Sequence, residues 1–141
     1  MLEQIASAAG IDATVEIREG PDGVRAEYVG DDLGLLIGHH GETIDAIQHL
    51  AYRIATRGDE ERLPVTVDAA GYRERRAETL RAAADQAAQT ALEARRAVPL
   101  EAMSALERKV IHEHLKDRRD VETYSEGQEP SRRLVVAPLV D

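Results

Sequence analysis

Apolar positions along the chain fall into alternating and helix-period stretches. Residues 1–9 place Leu2, Ile5 and Ala9 on one side of a short helix that Gly10 stops. Ala13-Thr14-Val15-Glu16-Ile17 alternates as a strand does. Gly20-Pro21-Asp22-Gly23 carries turn residues, and Val24-Arg25-Ala26-Glu27-Tyr28 alternates again, so the two runs predict a hairpin with one buried face. Asp31 to Ile37 opens on capping residues and turns apolar, which predicts a second short helix. Residues 42–57 repeat Ile44, Ile47, Ala51 and Ile54 at spacings of three and four. They predict a longer helix with one stripe facing a core, ended by Gly58-Asp59-Glu60-Glu61. Leu63, Val65 and Val67 alternate as a strand. The first half therefore reads α-β-β-α-α-β.

Gly71 begins a different regime. Residues 72–96 predict a long Ala-rich helix carrying several Arg, and Val98-Pro99-Leu100 interrupts it. Residues 101–116 predict another helix, with Met103, Leu106 and Val110 at core spacing. Val121 to Tyr124 and Arg133 to Ala137 predict two strands, separated by the polar loop Ser125 to Pro130. The class is α+β, with one module over residues 1–70 and a second over 71–141. The junction is expected as a short joint from Asp68 to Gly71.

Composition narrows the function. A chain of 141 residues accommodates two small modules, each marginally stable alone. There is no Cys, which excludes disulfides, thiolate metal sites and a thiol nucleophile. No apolar run reaches the ~18 residues of a membrane span. The opening Met1-Leu2-Glu3-Gln4 lacks a basic segment followed by an apolar one, so no secretory signal and a cytoplasmic location are expected. With four Tyr and no Phe or Trp, the chain does not suit RNA readers built on exposed aromatic sheets. The net charge of −9 opposes nucleic acid, but residues 1–70 hold 14 acidic and 5 basic groups and residues 71–141 hold 13 of each. The deficit lies wholly in the first half, and patches matter as well as totals.

Gly38-His39-His40-Gly41 joins two helices. Glycine permits the positive φ or the close backbone approach that so tight a turn needs. The following helix directs its unpaired N–H groups and positive dipole end at the loop. A phosphodiester backbone can lie across that point. A lone Gly-x-x-Gly is weak, because most such turns only connect helices. Its place after a hairpin and before a strand is the order of a type II KH domain, whose GXXG loop clamps about four nucleotides. No Gly-x-x-x-x-Gly-Lys phosphate loop is present.

Arg108-Lys109-Val110-Ile111-His112 places Arg and His four apart on one helix face, where they can offer a guanidinium and an imidazole to a phosphate. An isolated pair of this kind is usually only a solvated face. The residues around it make the pair specific: Thr123-Tyr124-Ser125-Glu126-Gly127 and Pro130-Ser131-Arg132-Arg133 follow. With Ile37 to Gln48 and Val67-Asp68 to Arg76, these motifs in this order resemble the bacterial Jag family over about Val15 to Pro138. Jag proteins pair a KH domain with an RxxxH ("R-three-H") domain.

The resemblance implies single-stranded RNA binding by both modules, with single-stranded DNA left open. It further implies a small stand-alone KH protein as partner, homodimers or heterodimers through KH surfaces, and a role in cell elongation and division. Its motif positions are Gly38, His39, His40, Gly41, Arg108, His112, Ser125, Gly127, Arg132 and Arg133. Family members often begin with a further N-terminal domain, which these residues do not include, so membrane contacts that depend on it are not expected. Where the family usually has Lys or Arg inside the loop, this chain has His39 and His40. Histidine gains charge near its reference pKa of about 6.5, so RNA binding through the loop is expected to strengthen as pH falls from about 8 to about 6.

Catalysis is not expected, nor is a cofactor or metal. His112-Glu113-His114 sits at a spacing of two, which splits the pair across a helix. No His-Glu-x-x-His or nucleophile elbow occurs. The rival reading is a protein adaptor whose acidic KH half serves dimerisation, with nucleic acid bound by the second module alone. The Arg clusters at 73–76, 95–96 and 118–119 are expected mainly as solvated, acid-paired faces.

Overall fold

The structure, a computed structural model, describes residues 1–57 and 63–139. The helix stop expected at Gly58 to Glu61 lies outside the described residues. The chain divides into two compact units, Met1–Arg75 and Arg76–Asp141.

In the first unit the order is α1 (Leu2–Ala8), β1 (Thr14–Gly20), β2 (Gly23–Val29), α2 (Gly34–Ile37), a 3-10 turn (His39–Gly41), α3 (Glu42–Ala55) and β3 (Val65–Ala69). This is the α-β-β-α-α-β order of a type II KH domain. The hairpin closes through Pro21-Asp22, with Gly20 opposite Gly23. Strand β3 runs parallel to β2, with Val24 opposite Val65 and Tyr28 opposite Ala69. Parallel neighbours need a crossover, and α2 with α3 supplies it. The core gathers Ala26, Tyr28, Leu36, Ile44, Ile47 and Val67. Tyr28 is fully buried, and its hydroxyl donates to the Leu2 carbonyl at 2.7 Å, tying α1 to the sheet. Ile54, expected in the core stripe of α3, is 59% exposed. It lines an open groove with Ile17 and Val65 instead, so the buried stripe ends at Ala51.

Between β3 and the start of α4 (Tyr72–Ala94) lie only Ala70 and Gly71. Asp68, buried at the end of β3, accepts from the N–H of Ala69 at 2.8 Å and of Arg73 at 3.2 Å. Its other oxygen takes Arg25 at 3.1 Å. A carboxylate on the first N–H groups of a helix is a cap, so Asp68 starts α4. Arg73 donates to the Val67 carbonyl and pairs with Asp45 at 2.6 Å.

The second unit continues along α4 and adds β4 (Val98–Ala102), α5 (Ala105–Leu115), β5 (Val121–Glu126) and β6 (Arg133–Pro138). The sheet order is β4-β6-β5, antiparallel throughout. Leu80, Ala84, Ala87 and Ala88 of α4 meet Ile111, Leu115, Val121, Leu134 and Val136 in the core. Three expectations are corrected here. Val98-Pro99-Leu100 does not merely interrupt helices but belongs to a strand; Pro99 is tolerated because β4 is an edge strand. Strand β4 also takes residues 101 and 102, so α5 starts later than expected, at Ala105, behind the N-cap Ser104, which accepts from the Glu107 N–H. Leu106, expected inside, is 61% exposed, while Glu107 and Arg108 are buried. These inward charges are neutralised, Glu107 by Arg76 at 2.7 Å and Arg108 by Glu129 at 2.7 Å. Among the described residues no helix is long and apolar enough to cross a membrane.

Candidate nucleic-acid interface

The first unit presents the loop Gly38–Gly41. Gly38 has φ 75° and Gly41 φ 82°, and His40 between them also takes the left-handed region at φ 53°. A β-carbon on Gly38 would stand 2.2 Å from Thr43 Oγ1. One on Gly41 would stand 2.7 Å from Tyr72 Cε1. Both positions therefore require glycine for space as well as for φ. Gly41 is also the N-cap of α3, and no side chain caps that helix. Its first N–H groups and its positive dipole end are directed at the loop. Of the two carboxylates in the first turn, Glu42 is exposed and Asp45 is offset by Arg73. The His39 and His40 rings stack on each other at 3.8 Å between centroids, 25° from parallel. The loop thus offers backbone donors and paired ring faces rather than fixed cations.

The second unit brings Arg108, His112, Ser125 and Arg132 to one open depression of about 470 Å³ between α5, β5 and the start of β6. His112 Nδ1 lies 2.6 Å from Thr123 Oγ1. Arg132 donates to the Gly127 carbonyl at 2.6 Å. Arg108 is held by the Met103 carbonyl at 3.3 Å and by Glu129. Gly127 and Arg133 do not line the depression. Gly127 turns the loop at φ 87°, and Arg133 is exposed and paired with Glu126 at 2.8 Å. Lys109 and Thr123 also line this surface and were not singled out from the sequence. The signal was available, because Ala105, Arg108, Lys109 and His112 follow the i, i+3, i+4, i+7 rule of one helix face. Among the described residues no three His, Asp or Glu side chains converge as a metal site. The remaining Arg clusters are in part acid-paired, with Arg73 on Asp45 and Arg118 on Asp120.

Comparison with known proteins places a family model described as "KhpA/KhpB, KH domain" on residues 1–67 and one for the R-three-H domain on residues 78–138. The chain is 36% identical over 138 residues to "RNA-binding protein KhpB" of Clostridium symbiosum, covering 96% of this chain and 62% of that one. It is 35% identical over 138 residues to the protein of the same name from Bacillus subtilis (strain 168), covering 96% and 66%. The relative in Lactiplantibacillus plantarum is 37% identical over 128 residues, covering 91% and 40%. The chain thus spans less than two thirds of the length of these relatives.

Proposed function

The chain belongs to the Jag family of paired KH and R-three-H proteins, and from that premise we propose that it is an RNA-binding protein, not an enzyme, with single-stranded RNA held by both units. The observation that carries this reading is the Gly38–Gly41 loop, set on the uncapped N-terminus of α3 with no room for a side chain at either glycine. A phosphate approaching there meets N–H donors and a helix dipole, and the stacked His39 and His40 rings offer faces to a base. In the second unit the depression at α5 offers an imidazole, a hydroxyl and cations, the donor set for a second stretch of backbone. The protein acts in the cytoplasm as a post-transcriptional regulator tied to cell elongation and division, with a small stand-alone KH protein as partner.

The test is fluorescence anisotropy with a labelled single-stranded RNA of about 12 nucleotides, the length of a few module footprints. Wild type is compared with a His39→Asp/His40→Asp variant and an Arg108→Ala/His112→Ala variant, each checked for folding by circular dichroism. Binding falls in both variants if both units hold RNA. The same titration with DNA decides the sugar preference. A specific observation favours a second reading for the first unit: Val15, Ile17, Val24, Ile54 and Val65 line an open apolar groove of about 480 Å³. If only the α5 variant loses binding, this groove makes the KH unit a dimerisation or partner surface.

A further inference from the structure

Three Lys and Arg side chains line the depression at α5, and Arg108 is held differently from Lys109 and Arg132. Arg108 carries half of the signature pair, yet its side chain is only 10% exposed. One terminal nitrogen donates to the Met103 carbonyl and the other to Glu129, whose carboxylate is 58% exposed at the rim. A phosphate drawn to this guanidinium would approach that carboxylate as well, and Glu129 already offsets the attraction. The bond instead closes a local brace. Met103 stands just before α5, and its N–H donates to the Arg132 carbonyl at 3.2 Å. Glu129 belongs to the loop that leads to Arg132. Arg108 therefore holds, from one side chain, both anchors of the segment that presents Arg132.

Lys109 and Arg132 differ from it. Lys109 is exposed and lines the same depression; among the described residues no hydrogen bond or ion pair holds it, and Glu113, one turn on, acts on it only as a nearby charge. A compact ammonium on a flexible stem suits a phosphate oxygen. Among the described residues the Arg132 side chain has one hydrogen bond, to the neutral Gly127 carbonyl, and no ion pair, which leaves its other donors open there.

We infer that Arg108 is a positioning residue, and that Lys109 and Arg132, beside His112, make the phosphate contacts of the second unit. The inference rests on the reading of this unit as an RNA binder, and the experiment separates the two. Binding of the full chain to the 12-nucleotide RNA is measured across a salt series for wild type, Lys109→Ala, Arg132→Ala, Arg108→Met, Glu129→Ala and His112→Ala. Melting curves fix a temperature at which each variant is folded. Each lost phosphate contact makes the slope of log K against log salt shallower by about 0.7.

Lys109→Ala and Arg132→Ala are expected to lose affinity about fivefold, each with that change of slope. Arg108→Met and Glu129→Ala are expected to lose affinity with the slope unchanged; a smaller folded fraction would lower affinity in the same way, so the loss counts only at a temperature where the melting curves show each variant fully folded. Tighter binding by Glu129→Ala means that the freed Arg108 meets phosphate itself, and it overturns the inference. So does a shallower slope in Arg108→Met or an unchanged slope in Lys109→Ala. Should Arg108→Met not fold, Glu129→Ala and Lys109→Ala decide alone. If no variant in the set changes binding, His112→Ala included, the second unit does not hold RNA and the underlying reading falls with the inference.

Discussion

At Gly41 a β-carbon would press on the Tyr72 ring, and φ is 82°. Left-handed backbone costs a residue with a β-carbon about 1–2 kcal/mol, to which displacement of the ring adds. Gly41→Ala is expected to destabilise the first unit by about 2 kcal/mol or more, read as a lower urea midpoint with an unchanged slope. His40 lies in the same region at φ 53°, so His40→Gly relieves strain, and its unfolding free energy from the same urea titration is expected to stay within about 1 kcal/mol of wild type. Tyr28 supplies a pH-dependent case. Burial pushes its phenol pKa up. The neutral form is thus the one the fold prefers, and its contribution is full below the unfolded value of about 10 and lost as pH rises through the folded one. Tyr28→Phe removes the bond to the Leu2 carbonyl, costs about 1 kcal/mol near neutrality, and flattens the alkaline fall in stability followed by denaturant titration at each pH. The loop glycines were legible in the sequence because their spacing is their chemistry. The partners that make them obligatory, Thr43 and Tyr72, were not, since the contact with Tyr72 crosses about 30 residues of chain.

Strand β2 and helix α3 could be read directly, because each buries one face and its period shows it; β1 alternates as well, yet it leaves Ile17 exposed and Val15 half-buried, and β3 buries Val67, Asp68 and Ala69 in succession. Strand β4 escaped that reading. Five residues containing a proline carry too little alternation, and only pairing with β6 makes them a strand. Helix α5 misled for another reason: its inward face takes Glu107 and Arg108, and the charge partners that permit this, Arg76 and Glu129, lie far away in sequence. A stripe counted from apolar residues alone therefore turns Leu106 inward, although the folded helix leaves it in water. The start of α5 was missed with it. Ser104 accepts from the N–H of Glu107, and Ser104→Ala is expected to cost about 1 kcal/mol. Because α5 supplies both Arg108 and His112, hydrogen exchange over residues 105–112 should quicken in that variant. An unchanged exchange rate would mean that packing of Ile111 and Leu115, not the cap, sets the helix start.

The two units face a polyanion with unequal means. All of the net charge of −9 resides in residues 1–70, whereas residues 71–141 balance at 13 acidic and 13 basic groups. A loop that works by N–H groups and ring faces releases few counterions, so most of the salt dependence is expected from the second unit. On the proposed reading, two modules on one strand convert the second contact into an intramolecular one. RNA length is the direct test. A KH loop occupies about four nucleotides, so a strand of about five engages one unit at a time. Shortening the RNA from about 12 to about 5 nucleotides is expected to weaken binding at least tenfold. On the long strand both the His39/His40 and the Arg108/His112 variants lose affinity; on the short strand only the unit that holds it responds to substitution. Equal affinity for the two lengths would assign the binding to a single unit, and the variant that still weakens the short strand would name it.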